Sequence, residues 1–359
     1  MVNNGSFRNI YKGKTVLVTG HTGFKGSWLS IWLHELGAKV VGLSLDPYTS
    51  KDNFVLSEIG SRIIDVRGDI RDFETVDKVF RTYQPVIVFH LAAQPLVRYS
   101  YEHPIETYQV NVMGSIHIME AFRKSESCHT AIMITTDKCY DNVEQIWGYK
   151  ESDPMGGHDP YSSSKGANEI AIQSFRKSYF NPDHYHIHNK AIASVRAGNV
   201  IGGGDWALDR IVPDFYRAYE NQEVLEIRSP KANRPWQHVL EPLYGYLLLG
   251  QRLQEEPTNF SEGWNFGPEF EMTNSVWDIV SLLAQKANFT KVIDVSDKKQ
   301  LHEAQRLTLD ITKARVELNW HPRLDLEKTL ELTHQWYTKY QNQNVYDLCV
   351  NQIQTFLSL

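Results

Sequence analysis

The chain has 359 residues, which allows about two domains of roughly 150 residues each. Apolar residues make up 42% of it and charged residues 22%, as in ordinary soluble globular proteins, and the net charge is −6. A mildly acidic chain without a basic stripe argues against nucleic acid and anionic membrane surfaces as partners. Three cysteines, no signal-peptide core and no run of ~20 apolar residues predict a cytoplasmic protein without disulfides, a metal cluster or a membrane span.

The first half of the chain alternates short apolar runs with amphipathic segments. Such runs are typical of parallel strands that are covered on both faces. The predicted strands are 15–19, 39–45, 62–66, 86–91, 131–136 and 191–195. Asp72 is expected to cap one helix, and Pro104 to begin a long helix that reaches about residue 124. This alternation predicts a Rossmann-like, doubly wound α/β domain over residues 1–200.

The pattern changes after residue 200, where loops lengthen and Pro and Trp become frequent. Residues 201–359 are predicted to form a smaller α/β lobe that binds substrate, with some segments returning to the first domain. Helices are expected at 274–287 and 326–340, and a strand at 264–266. The apolar spacing of the C-terminal tail predicts a helix that packs on the body or on a second subunit.

A glycine-rich loop follows the first predicted strand and leads into an apolar helix. Gly20, Gly23 and Gly26 permit a tight turn and a close approach of the backbone to a pyrophosphate at the helix N-terminus. Asp46 lies 20 residues past Gly26, where a carboxylate binds the ribose hydroxyls and repels a 2′-phosphate. The glycines alone also suit a plain strand-to-helix turn. Their context favours a dinucleotide site, and NAD over NADP.

Tyr161 and Lys165 are four residues apart and therefore share a helix face. A phenol becomes a useful base only when its pKa falls from about 10, and a neighbouring ammonium favours the phenolate. We expect Lys165 to act on Tyr161 in this way. An ordinary exposed Tyr–Lys pair is the alternative, which the preceding nucleotide-binding half disfavours.

Asp137 and Lys138 follow Thr136 at the carboxyl end of a central strand, where open α/β sheets carry their sites. An acid beside a base suits the elimination of water, because one protonates the departing hydroxyl and the other removes a proton from the neighbouring carbon. A simple oxidoreductase or epimerase does not need this pair. A salt-bridged Asp–Lys loop is the structural alternative.

These motifs together resemble the extended short-chain dehydrogenase/reductase superfamily, and within it the CDP-glucose branch of the NAD-dependent sugar-nucleotide 4,6-dehydratases. The superfamily resemblance rests on the glycine spacing, on 68–70, 91–93 and Asn111, and on the Tyr161–Lys165 motif. The dehydratase resemblance rests on 136–138, 196–206, 234–242 and 302–304. Lys138 departs from the Glu that dTDP-glucose dehydratases usually carry, and agrees with the CDP-glucose branch.

The motifs and the resemblance together predict the site residues. Catalytic roles are predicted for Thr136, Asp137, Lys138, Tyr161 and Lys165. Cofactor contacts are predicted for Gly20, Thr22, Gly23, Phe24, Lys25, Gly26, Asp46, Asp69, Ile70, Leu91, Ala92, Ala93, Tyr161 and Lys165. Substrate contacts are predicted for Gln94, Arg98, Asn199, Arg210 and Arg234, with Arg228 and Arg306 as lesser candidates.

The resemblance implies that CDP-D-glucose becomes CDP-4-dehydro-6-deoxy-D-glucose and water, a step in dideoxysugar or O-antigen precursor synthesis. Tyr161 would deprotonate the 4-hydroxyl while NAD accepts the C4 hydride. Lys138 would take the C5 proton, Asp137 would protonate the C6 hydroxyl, and NADH would return the hydride to C6. The alternatives are a nucleotide-sugar 4-epimerase, a dehydratase for another nucleotide sugar, and a non-catalytic NAD-sensing scaffold.

The resemblance also implies a homo-oligomer, in which helices near 104–124 and 161–178 pair across a two-fold axis into a four-helix bundle. The first of these helices is apolar around much of its circumference, as expected of a helix buried on more than one side. A dimer and a tetramer both remain open.

Overall fold

A parallel β-sheet organises the fold, seen here in a computed structural model that describes residue 7 and residues 9–269, 274–296 and 306–359. The strands are β1 (Thr15–Thr19), β2 (Lys39–Ser44), β3 (Ile64–Arg67), β4 (Ile87–His90), β5 (Thr130–Ile134), β6 (Ala191–Ala197), β7 (Val200–Ile201), β8 (Leu225–Ile227), β9 (Asn233–Arg234), β10 (Gln237–His238), β11 (Gly263–Phe266), β12 (Asn274–Ser275) and β13 (Val292–Asp294). The helices are α1 (Phe24–Glu35), α2 (Asn53–Leu56), α3 (Phe73–Tyr83), α4 (Val97–Glu102), α5 (Pro104–Tyr108), α6 (Ser115–Lys124), α7 (Pro160–Ser178), α8 (Tyr185–His188), α9 (Ile211–Asn221), α10 (Leu240–Glu255), α11 (Pro257–Phe260), α12 (Val276–Ala287), α13 (Thr312–Glu317), α14 (Leu326–Lys339) and α15 (Val345–Leu357).

Within the described residues the main sheet has seven parallel strands in the order β11-β6-β5-β4-β1-β2-β3. Val16 and Val18 of β1 belong to the core on one face of the sheet, and Leu17 belongs to the core on the other. This alternation explains why central strands such as β1 and β5 are largely apolar on both faces. The predicted Rossmann-like, doubly wound sheet is confirmed, and its order reverses between β1 and β4, where such sheets open a crevice.

The predicted elements are present with small shifts at their ends. The strand expected at 62–66 begins at Ile64, because a 3₁₀ turn over Ile59–Ser61 occupies the chain just before it. Asp72 caps α3 by accepting a hydrogen bond from the Glu74 amide. The long helix from Pro104 is interrupted by a π-helical stretch over Gln109–Gly114 that separates α5 from α6.

The C-terminal part of the chain packs on the first part at several places. The predicted strand at 264–266 is β11, which pairs with β6 at the edge of the main sheet. Helix α10 contacts β5 and β6, and the tail helix α15 packs on α1. The short strands form the pairs β7–β10, β9–β12 and β8–β13. A division at residue 200 therefore stays a prediction. No helix within the described ranges is long and apolar enough to cross a membrane.

A buried ion pair joins the catalytic end of the sheet to α7. Glu169 accepts hydrogen bonds from Arg196 Nη2 at 2.8 Å, from Ser194 Oγ at 2.8 Å and from Thr135 Oγ1 at 2.5 Å. Arg196 also donates through Nη1 to the Tyr140 hydroxyl at 2.6 Å. Both charged side chains are 6% exposed or less. Charges this deeply buried are tolerated because each is paired and hydrogen-bonded.

Breaking this pair is expected to destabilise the fold strongly. Glu169→Gln leaves the Arg196 guanidinium buried without its counter-charge, and we expect the free energy of unfolding to fall by about 3 kcal/mol or more. The control is Glu120→Gln, which removes a half-exposed carboxylate paired with Arg123 on α6 and is expected to cost less than ~1 kcal/mol. Urea unfolding measures the stability of both variants. Equal losses in the free energy of unfolding would contradict the stabilising role of the Glu169–Arg196 pair.

Candidate active site

A cavity of about 670 Å³ opens at the carboxyl ends of the central strands. The glycine loop after β1 and the residues that follow β2, β4 and β5 line it on one side. Segments from the C-terminal part, around 198–214 and 226–236, line it on the other. This is the position at which doubly wound sheets bind ligands.

The glycine loop has the shape of an anion cradle. Gly20 has φ +73°, and a Cβ atom there would lie 2.7 Å from the Ala92 amide nitrogen. A Cβ at Gly26 would lie 2.1 Å from the Gly20 carbonyl oxygen, so glycine is required at both positions. Helix α1 begins directly after Gly23 without a side-chain cap, which leaves its N-terminal amides for a ligand.

Every predicted cofactor residue lines the cavity. The Thr22 hydroxyl hydrogen-bonds Ser44 Oγ at 2.7 Å and so ties the loop to the end of β2. The Asp46 side chain is 90% exposed, and its carboxylate lies 3.7 Å from Arg67 Nε. Asp69 accepts hydrogen bonds from the Arg71 backbone and guanidinium. The glycine cradle with a carboxylate beyond each of two strands fits a dinucleotide with free ribose hydroxyls.

Four of the predicted catalytic side chains are buried together in this cavity. The exposed fractions are 8% for Thr136, 2% for Asp137, 8% for Tyr161 and 4% for Lys165. Thr136 Oγ1 donates to Asp137 Oδ1 at 2.9 Å, whereas Asp137 Oδ2 is buried and has no hydrogen-bond partner among the described residues. Lys138 is half-buried and also lines the cavity.

The pKa of Tyr161 departs from the sequence prediction. Burial raises the pKa of this phenol to about 12, although the Thr136 hydroxyl and the Arg210 charge lower it. Burial also lowers the pKa of Lys165 to about 8. The expected lowering of the Tyr161 pKa by Lys165 is therefore wrong for the protein alone, because the loss of solvent outweighs the neighbouring charges.

The surroundings of Asp137 disfavour its charged form. Burial raises the pKa of its carboxyl group, and the charges of Lys138 and Arg234 and the Thr136 hydrogen bond oppose this only in part. A carboxyl group with a raised pKa can donate a proton near neutral pH. Lys25, at the start of α1, has a pKa lowered to about 8 by burial and by the charge of Arg210.

The predicted substrate residues divide into two groups. Arg98, Asn199, Arg210 and Arg234 line the cavity, and so does Arg228. Gln94 does not line it, because its side-chain amide donates to the Leu96 carbonyl and the Thr107 hydroxyl. The contact of Gln94 with substrate therefore stays a prediction. Arg306 is exposed and away from the cavity, and the motif at 302–304 lies outside the described residues.

Two carboxylates that the sequence analysis did not select hold these arginines in place. Asp205 accepts from Arg210 Nη1 at 2.7 Å. Asp209 accepts from Arg228 Nη1 at 2.9 Å and lies 3.7 Å from Arg98 Nε. Asp209 adopts φ +60°, a left-handed conformation that directs it between arginines from both parts of the chain. No local sequence signal marks this residue, since its partners are remote in the chain.

Comparisons with known proteins agree with this geometry. The model of the GDP-mannose 4,6 dehydratase family matches residues 17–333. The CDP-glucose 4,6-dehydratase of Salmonella typhimurium is 50% identical over 330 residues, which cover 92% of each chain. In fold the chain is similar to the dTDP-glucose 4,6-dehydratase of Bacillus anthracis in complex with NAD (TM-score 0.75, 20% identity, 91% of this chain and 97% of that one). It is similar also to the UDP-glucose 4-epimerase of Thermotoga maritima with UDP-glucose (TM-score 0.77, 23% identity, 91% of this chain and 100% of that one).

The two structural matches show the shared fold, while the family match and the 50% identity reach nearly the whole chain. The family match includes the glycine loop, Asp137 and the helix that carries Tyr161 and Lys165. The chain belongs to the family of nucleotide-sugar 4,6-dehydratases.

Proposed function

We propose that this protein converts CDP-D-glucose to CDP-4-dehydro-6-deoxy-D-glucose and water, using bound NAD. The observation that carries the proposal is the buried Asp137 carboxyl group, which has a raised pKa and lies beside Tyr161 in one cavity. A 4-epimerase releases no water and has no need of such an acid. The 50% identity to a CDP-glucose 4,6-dehydratase supports CDP-glucose as the substrate.

The N-terminal side of the cavity is proposed to hold the cofactor. The loop from Gly20 to Gly26 would bind its pyrophosphate, and Asp46 would accept from the ribose hydroxyls and disfavour a 2′-phosphate. Lys165 would hydrogen-bond the ribose next to the reacting ring. When bound, NAD supplies the hydride acceptor for C4, the hydride donor for C6 and a positive charge on its oxidised ring.

Tyr161 is the proposed base for the sugar 4-hydroxyl. With a pKa of about 12 in the protein alone, the phenol needs further positive charge before it can take a proton. Arg210 already acts on it in this direction, and Thr136 contributes a hydroxyl to the same centre. Loss of the O4 proton to Tyr161 and of the hydride from C4 leaves a 4-ketone.

Elimination then uses the neighbouring pair. The 4-ketone acidifies the C5–H bond, Lys138 takes that proton as the neutral amine, and Asp137 gives its own proton to the C6 hydroxyl as water departs. Return of the hydride to C6 and of a proton to C5 completes the product with no net oxidation. The guanidinium groups of Arg210 and Arg234 are proposed to bind the diphosphate, for which their paired donors are suited.

Removal of the Tyr161 hydroxyl is expected to stop the chemistry while leaving substrate binding intact. Tyr161→Phe keeps the ring, so we expect turnover of CDP-glucose to fall at least ~100-fold with little change in CDP affinity. The matched control is Tyr179→Phe, at the exposed end of the same helix, which should retain full activity. Unchanged turnover in Tyr161→Phe would exclude the assigned role.

Variants of the elimination pair separate its two proton transfers. Lys138→Met is expected to slow both C5 exchange with deuterated solvent and product formation by about 10²–10⁴-fold, the usual range for a positioned base. Asp137→Asn is expected to retain C5 exchange but to slow loss of the C6 hydroxyl to a similar extent. Nuclear magnetic resonance of the sugar follows both signals.

The Lys138→Arg variant distinguishes between Lys138 as a general base and Lys138 as a purely electrostatic stabiliser. Arginine keeps the positive charge but does not give up its proton, so a base predicts that this variant is as inactive as Lys138→Met. Recovery of activity in Lys138→Arg would instead assign electrostatic stabilisation of the intermediate to Lys138.

We also propose that the chain forms a homo-oligomer through α5, α6 and α7. Ile105 is 74% exposed, Met113 46% and Ile170 59%, and α7 packs directly against α5 and the π-helical stretch. Light scattering should therefore give at least twice the 41.4 kDa of one chain. Ile170→Lys is expected to shift this mass toward the monomer, whereas Ile187→Lys, at an exposed isoleucine elsewhere, should not. A stable wild-type monomer at micromolar concentration would refute the proposal.

A further inference from the structure

Glu226 lines the cavity but has no part in the proposed mechanism. It lies in the middle of β8, where Leu225 and Ile227 are buried in the core and Glu226 is exposed on the opposite face. Because side chains two apart on an extended chain share a face, Arg228 follows Glu226 on the same side, and both line the cavity. An acceptor and a donor are thus presented next to each other.

Three other carboxylates that line the cavity already have partners. Asp205 is paired with Arg210, and Asp209 with Arg228. Asp214 is paired with Arg217 one turn along α9. The side chain of Glu226 has no ion pair or hydrogen bond with any residue in the described ranges. The Glu226 carboxylate is therefore available to accept hydrogen bonds from a ligand in the cavity.

The charges along the cavity indicate which part of the substrate reaches β8. Arg234 acts on the pKa of Asp137 and Arg210 on that of Tyr161, so these two arginines adjoin the reacting sugar. The charge of Arg228 lowers the pKa of Asp214, and its guanidinium donates a hydrogen bond to Asp209. Arg228 therefore interacts with carboxylates outside the predicted catalytic group. A nucleotide sugar has the same linear order of sugar, diphosphate, ribose and base. With the diphosphate at Arg210 and Arg234, the base extends toward β8.

We infer that Glu226 and Arg228 select cytosine as the base of the nucleotide sugar, an inference that rests on the proposed function. Cytosine offers an amino group at N4 as donor and N3 and O2 as acceptors. A carboxylate accepts from N4, and a guanidinium donates to N3 or O2. Uracil and thymine have a carbonyl oxygen in place of the amino group, which a carboxylate repels. The β8 face therefore accepts cytosine and rejects both alternatives.

The binding of CDP and UDP to the purified full-length protein, by isothermal titration calorimetry at fixed salt, tests this role without turnover. The wild type is expected to bind CDP more tightly than UDP. In Glu226→Gln the amide can donate as well as accept, so the ratio of the two dissociation constants should move toward one by about tenfold or more. Glu226→Ala should lose affinity for CDP while keeping or gaining affinity for UDP. Glu223→Gln is the matched control, since this exposed glutamate lies three residues away and outside the cavity.

The ratio of kcat/KM for CDP-glucose and UDP-glucose gives a second readout, and it should change in parallel with the binding ratio. A wild-type CDP/UDP ratio that persists in both Glu226 variants would overturn the role of Glu226, while dehydration of CDP-glucose by the wild type would stand. Equal binding of CDP and UDP by the wild type would overturn it as well. Failure of the wild type to dehydrate CDP-glucose would instead reject the proposed function itself.

Discussion

The buried pair of Glu169 and Arg196 is the interaction on which the geometry of the active centre depends. Helix α7 carries Tyr161, Lys165 and Glu169 at intervals of four residues, so all three lie along one face. Glu169 accepts from Thr135 and Arg196, which belong to the C-terminal segments of two adjacent strands. The helix is thereby held in register with the end of the sheet that presents Thr136 and Asp137. A buried carboxylate has no alternative partners in this dry interior, and this makes the register unique.

Exclusion of solvent also controls the charge states of the ionisable groups in the cavity. Burial lowers the pKa of Lys25 and of Lys165 to about 8 and raises that of Asp137, so each group is biased toward its neutral form. Arginine keeps its charge under these conditions, and in the protein alone Asp205 pairs with Arg210 and Asp209 with Arg228. A diphosphate would take over part of this pairing. Two of the cavity arginines, Arg210 and Arg228, are therefore held by carboxylates before a dianion binds.

The features that follow from local sequence were predictable. Apolar runs of five to seven residues predicted the strands, and the glycines between β1 and α1 predicted a loop that φ +73° at Gly20 confirms. The features that the sequence does not show depend on contacts remote in the chain. Gln94 follows a cavity strand, yet its amide is used by Thr107 on α5. The burial that raises the pKa of Tyr161 comes from the assembled fold and has no signature in the spacing of Tyr161 and Lys165.

The position of Glu226 separates the choice of nucleotide from the chemistry. The reacting groups are fixed on β5 and α7 within the main sheet, whereas β8 belongs to a separate two-stranded pair with β13. A change of residue at Glu226 or Arg228 alters a face of β8 whose other side is anchored in the core by Leu225 and Ile227. Base preference can therefore change by substitution on one short strand while the Glu169–Arg196 pair continues to hold the acid, the base and the phenol in register.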